Sequence, residues 1–192
     1  MSARFILGIS ALTLIVAAPL AASAQGGVTV IGGGVAYDCY EAVEYGRVQP
    51  SQAIALCDIA LETEHLRPKD RAATFTNRGI LYMRQGNNMR ALSDYRKTIA
   101  LMPELKEAQV NLGAALYNLK RYTEAMTALN EGIEVEDPDA KAIGHYNRGL
   151  THEKLGDIQS AYADFRRALE IKPEFVQASK QIARFTVVPA GG

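Results

Sequence analysis

The chain has 192 residues, and its 21 Lys and Arg balance its 21 Asp and Glu to a formal net charge of zero. Nothing in that balance points to a nucleic-acid binder or a protein held on anionic membrane. The two cysteines are too few for a disulfide-dense scaffold, and no Cys-x-x-Cys pair offers a redox or zinc motif.

Met1 to Ala24 reads as a secretory leader outside the fold. Arg4 is its only charge, Phe5 to Ala18 is apolar, and Ala22-Ser23-Ala24 supplies the small residues of a cleavage site. The apolar run is short for a span, which takes about 20 residues, and Pro19 closes it. Retention of the leader as an anchor is the rival reading. Cleavage after Ala24 predicts a mature chain of 168 residues (192 less 24), with 20 Lys and Arg against 21 Asp and Glu. Such a chain is exported and has no membrane insertion of its own.

Residues 25–36 are expected to form a flexible mature N-terminus. Within them Val28 to Gly34 imitates a strand running into a dinucleotide-binding glycine turn. That fingerprint needs a third glycine where Tyr37 stands and a βαβ unit beyond it, so no cofactor is expected. Residues 37–67 then read as a helical hairpin. Cys39, Ala42 and Val43 belong to its first helix, Gly46 to Pro50 makes the turn, and Ser51 caps the second helix. Ala53, Ile54, Cys57, Ala60 and Leu61 recur on that helix at helical spacing. Cys39 and Cys57 stand nearly level on the two arms, and in an exported chain an even cysteine count predicts a disulfide between them. Free buried thiols are the alternative.

Residues 72–175 repeat themselves. Asn77-Arg78-Gly79, Asn111-Leu112-Gly113 and Asn147-Arg148-Gly149 are in phase, their glycines 34 and then 36 residues apart. Each is followed by an alanine (Ala91, Ala125, Ala161) and, four residues on, by Tyr95, Leu129 or Phe165. Pro103, Pro138 and Pro173 mark the ends of the copies. A period of this length marks a stack of identical supersecondary units. Three copies are assigned, 72–105, 106–141 and 142–175, each of two amphipathic helices. Their short turns are Gln85-Gly86-Asn87 and Leu155-Gly156-Asp157, with Lys120-Arg121 predicting a differently shaped turn in the middle copy. The glycines are expected to lie opposite the alanines. A single hairpin cannot bury its apolar face alone, so the copies must stack. A capping helix is expected over 174–186, followed by a tail, 187–192.

This pattern resembles the tetratricopeptide repeat, carried by Phe75, Gly79, Tyr82, Ala91, Tyr95 and Pro103 in the first clear copy. The resemblance implies an all-α right-handed superhelix whose first helices line a concave groove. It further implies a scaffold that binds a protein or peptide partner, which the leader over 1–24 would place outside the cytoplasm, in the periplasm. The residues expected to face the groove are Asn77, Ile80, Met83 and Arg84; Ala114, Tyr117 and Asn118 with Asn111; and Tyr146, Asn147, Leu150 and Lys154. Thr76, Val110 and Glu153 accompany them. Family members that clamp a C-terminal carboxylate need polar or basic groups where Thr76, Ile80 and Ile143 stand, so that mode is not expected.

The other readings are a self-assembling module of the cell envelope and, less favoured, an enzyme or metal-dependent protein. His145 and His152 share a helix face, but they occupy the frame positions of Phe75 and Tyr82, which predicts packing rather than metal ligation. The carboxylates are scattered and converge on no nucleophile, so no catalytic residue is assigned.

Overall fold

The structure is a computed structural model and describes residues 4–7 and 33–188. The described residues form nine helices joined by short turns, and successive pairs are antiparallel hairpins. The first hairpin is α1 (Val35–Tyr45) with α2 (Pro50–Thr63), and the second is α3 (Pro68–Arg84) with α4 (Asn88–Leu101). The third is α5 (Lys106–Asn118) with α6 (Tyr122–Gly132), and the fourth α7 (Pro138–Lys154) with α8 (Ile158–Ile171). The short α9 (Val176–Ile182) follows. Each hairpin packs on the next, and first helices also touch one another, α1 with α3, α3 with α5 and α5 with α7.

Helix starts follow the sequence closely. Pro50, Pro68 and Pro138 occupy the first turn of α2, α3 and α7, where a missing N–H costs nothing. The first helices of these two hairpins therefore start at Pro68 and Pro138, four residues ahead of 72 and 142. The side chains of Asn87, Asp137 and Asp157 accept from the amides of Arg90, Ala140 and Ser160. On α2 the cap is Gln49, in a reciprocal box with Gln52, and not Ser51. Likewise α1 starts at Val35, inside the stretch read as flexible. The Glu64 carboxylate holds it, accepting from Val35 N at 2.6 Å and Ala36 N at 3.2 Å. Residues 25–32 lie outside the described residues.

The middle turn has the same shape as its neighbours, contrary to the sequence expectation. Gly86 and Gly156 have φ of 74° and 86°, and Lys120 adopts 61° in their place. The bonds match as well, since Asn87 N, Arg121 N and Asp157 N donate to Tyr82 O, Leu116 O and His152 O. These bonds close each helix end whatever residue stands at the turn.

The repeat glycines make a notch that is filled chiefly by the large residue four positions after each alanine. Gly149 also faces its alanine, since a Cβ there would stand 3.2 Å from Ala161 O. A Cβ on Gly79 would stand 2.5 Å from the Tyr95 ring, one on Gly113 2.5 Å from Leu129 Cγ, and one on Gly149 2.8 Å from the Phe165 ring. Each large side chain sits 16 residues after its glycine and is fully buried. The missing side chain on the first helix thus receives the bulk of the second. A parallel offset joins Arg78 to Asp94 and Arg148 to Asp164 through two-bond pairs of 2.7–2.8 Å. Arg78 also donates to Asp58 of the preceding hairpin at 2.6 Å. In the middle copy the same offset holds Leu112 and Ala128.

A disulfide joins Cys39 and Cys57, with the Cα atoms 4.9 Å apart, and ties α1 to α2. Both residues are fully buried beside Ala42, Val43, Ala53, Ile80 and Leu81. The loop spans 18 residues, for which the chain-entropy account gives about 3 kcal/mol. Reduction is expected to lower the melting temperature, measured by circular dichroism with and without a phosphine reductant. Equal melting in both would show that the bond contributes no stability.

The capping helix is shorter than 174–186. It ends at Ile182, the chain turns at Ala183 and Arg184, and Phe185–Val188 forms strand β2. The Phe185 ring packs against Tyr162 and Phe165 at 5.5 and 6.0 Å between centroids. The β-branched run Thr186-Val187-Val188 favours an extended backbone. The strand pairs antiparallel with β1 (Arg4–Leu7), Arg4 opposite Val188 and Leu7 opposite Phe185. Residues 4–7 are thus laid against the far end of the array. Of the tail, 187–188 belong to β2, and 189–192 lie outside the described residues.

Candidate functional site

The residues expected to line the groove divide sharply by depth. Asn77, Ile80, Asn111, Ala114, Tyr117, Tyr146, Asn147 and Leu150 are buried, as are Thr76 and Val110. Met83 and Asn118 are half-buried, and Arg84 and Lys154 reach solvent. The expectation that all of them face outward is corrected, for identifiable reasons.

Three of them look into their own hairpins. The Thr76 hydroxyl lies 3.0 Å from that of Thr98 and donates to Ala72 O at 3.1 Å. Val110 fills the space left by Gly132, with its amide nitrogen 2.8 Å from where a Cβ would stand. Tyr146 lies between the rings of Phe165 and Phe175, at 5.8 and 5.1 Å. Ile80 packs into the disulfide-bearing core, while Ala114, Tyr117 and Leu150 belong to the large core of the later hairpins. Asn77, Asn111 and Asn147 are at most 1% exposed, and each already has a partner. A ligand using that ladder must replace interactions the chain already makes.

The accessible rim is polar. Arg84 donates to Val43 O at 2.8 Å, joining the end of α3 to α1. Asn118 reaches Asn88 Oδ1 at 3.4 Å. At the far end Arg184 forms a two-bond pair with Glu153, at 2.8 and 3.2 Å, and also bonds Gln181. The Tyr117 hydroxyl is buried with no hydrogen-bond partner among the described residues. Burial pushes its phenol upward, the nearby Tyr122 and Glu153 add to this, and Arg184 opposes it. No local sequence pattern marks Arg184, because its pairing with Glu153 depends on how α9 docks.

The histidines follow their frame positions into the hairpin. His145 Nδ1 lies 2.9 Å from Asp164 Oδ1, and His152 stands 3.4 Å from Asp157 and 3.8 Å from Asp164. Arg148 takes both oxygens of Asp164, so the carboxylate serves packing of α7 on α8. Among the described residues no group of three or more His, Cys, Asp or Glu could hold a metal ion. Also among them, no helix is long and apolar enough to cross a membrane.

Stacked helical hairpins with glycine notches and a rim of first-helix residues define a repeat-built solenoid. Tetratricopeptide repeat profiles match residues 76–141 and 142–175. The chain belongs to the tetratricopeptide repeat family.

Among curated proteins it is similar to DnaJ homolog subfamily C member 7 of Homo sapiens. The two are 30% identical over 142 residues, 71% of this chain and 28% of that protein. Heat shock protein STI1 of Saccharomyces cerevisiae is 30% identical over 99 residues, 47% of this chain and 16% of that protein. The chain therefore spans little more than a quarter of the first of these relatives. Among solved structures, MamA aligns with a TM-score of 0.64 and 22% identity, over 79% of this chain and 82% of that one. The second repeat domain of human RPAP3, solved with an HSP70 peptide, gives 0.56 and 23%, over 62% and 97%. At these identities the structures speak for the shared superhelical fold.

Proposed function

We propose that the chain is an exported, periplasmic interaction scaffold that captures a peptide or partner helix along its concave face. The observation that carries this reading is the family's array of rigid hairpins, which supplies a preformed surface and so reduces the ordering cost of binding. It is supported by the RPAP3 domain, whose fold the chain shares and which was solved with a bound peptide. The first contacts fall to Met83, Arg84, Asn118 and Lys154, which reach the surface, with the asparagine ladder beneath engaged only by exchange. The leader over 1–24 supplies the route of export. In this reading the chain has neither a catalytic role nor a cofactor.

Affinity capture from the cell envelope, wild type beside Arg84→Ala/Asn118→Ala, tests the proposal. The double variant is expected to lose its partner at least about tenfold, with helix content unchanged, since rim contacts of this kind carry orientation and partner choice. Equal recovery of the same partner by both proteins would sink the concave-face reading. The second reading, a self-assembling module, is favoured by Val176, which is 58% exposed on the outer side of α9.

A further inference from the structure

The pairing of β1 with β2 has the geometry of a ligand on a receptor. We propose that Phe185–Val188 is a strand-addition site. Once residues 1–24 are removed, it accepts an extended apolar peptide from a protein partner in the register that Arg4–Leu7 holds in the full chain. This rests on removal of the leader and is independent of the concave face.

Several features converge on it. The strand is fixed to the array by Phe185, whose ring lies on Tyr162 and Phe165 of α8. Its occupant also touches α8, so the site has a floor as well as an edge. Loss of β1 leaves β2 with amides and carbonyls that the full chain pairs in a ladder, and an open edge of this kind recruits another strand. Phe-Thr-Val-Val is rich in strand-forming residues, so the site keeps its extended shape at little cost.

The occupant in the full chain states the chemistry of the ligand. Arg-Phe-Ile-Leu is a run of three apolar residues behind one cation, and it binds antiparallel. A two-stranded ribbon is weak by itself, so exchange is reversible, and the leader blocks the site in cis until it is removed. Export and activation of the site are then one event.

The test uses a fluorescent peptide with the sequence of residues 2–9 and the protein beginning at Gln25. Every residue of the three hydrophobic cores lies between Val35 and Phe185, so this protein retains them all. Saturable binding by anisotropy is expected, at least about tenfold weaker in the full-length chain, where β1 already holds the edge. Peptides N-methylated at the amide of Phe5 or of Ile6 give the decisive comparison. Adjacent strand amides point to opposite edges, so one methyl group should cost at least about tenfold and the other little. The proposal is overturned by absent saturation, by equal binding to the full-length chain, or by equal responses to the two methyl groups.

Discussion

Gly132→Ala is expected to lower the melting temperature by several degrees. The new Cβ would stand 2.8 Å from the amide nitrogen of Val110 and 3.2 Å from the carbonyl carbon of Gln109. Both are backbone atoms, which cannot rotate aside as a side chain would. The variant must therefore part α6 from α5, and overpacking of this kind costs about 1–3 kcal/mol. The offsetting helix preference of alanine, at most about 1 kcal/mol, is reduced because Gly132 is the last residue of α6. For a chain of this size each kcal/mol shifts melting by about 2–4 °C. Gly144→Ala is the comparison, because its nearest neighbours are methyl groups of Ile133 and Val110 at 3.2 and 3.3 Å. It should be the milder change, and a larger drop for it than for Gly132→Ala would refute the assignment of the close approach.

The second large effect belongs to Asp164→Ala. The carboxylate is buried and accepts from Arg148 Nε and Nη2 at 2.8 Å each, with His145 Nδ1 at 2.9 Å. Its removal strands a guanidinium between α7 and α8. Breaking a fully buried pair costs about 3–5 kcal/mol. Here about 2–3 is expected, because Arg148 keeps some exposure and a bond to Asn130.

The pH dependence follows with a definite sign. Burial opposes ionisation of Asp164, but the hydrogen bonds from Arg148 and His145 outweigh it and hold the carboxyl below the ordinary aspartate range. A carboxyl lowered on folding stabilises the protein fully above its unfolded value, about 3.9. That contribution is lost as pH falls from there through the folded value. Chemical denaturation of wild type and Asp164→Asn between neutral and strongly acid pH measures it. The stability difference between them should shrink at the acid end, and a constant difference would exclude linkage through Asp164.

Much of the fold was legible because its determinants are periodic. Asn-x-Gly in three phases, the following alanines and the prolines fix where hairpins begin and which family they form. The 16-residue offset from Gly79, Gly113 and Gly149 to Tyr95, Leu129 and Phe165 was also in the sequence. The spacing alone does not show whether the alanine or the larger residue four positions on fills the notch. Contacts that answer to one particular docking were not legible. Arg84 on Val43 O, Glu64 at the start of α1, and Arg184 on Glu153 each join segments about 30 to 40 residues apart. No local pattern encodes such pairs.

The depth of the groove residues was not legible, for a more instructive reason. A helical wheel assigns Asn77, Asn111 and Asn147 to one side but cannot say how much else meets that side. Small residues at Ala114 and Gly144 let neighbouring helices come close enough to bury positions that a single hairpin would leave wet. The positions that escaped burial, Arg84, Asn118 and Lys154, are long or lie at helix ends.

The bond between Cys39 and Cys57 gives the array a direction. Stacked hairpins share free energy only with their neighbours, so opening starts at an end and travels inward. At the first hairpin the covalent loop limits the chain entropy that fraying can release. At the other end stands α9, with seven residues, well below the length at which a helix persists unaided. The solenoid is therefore expected to peel from its carboxyl end, with the Glu153–Arg184 pair at the edge that loosens first.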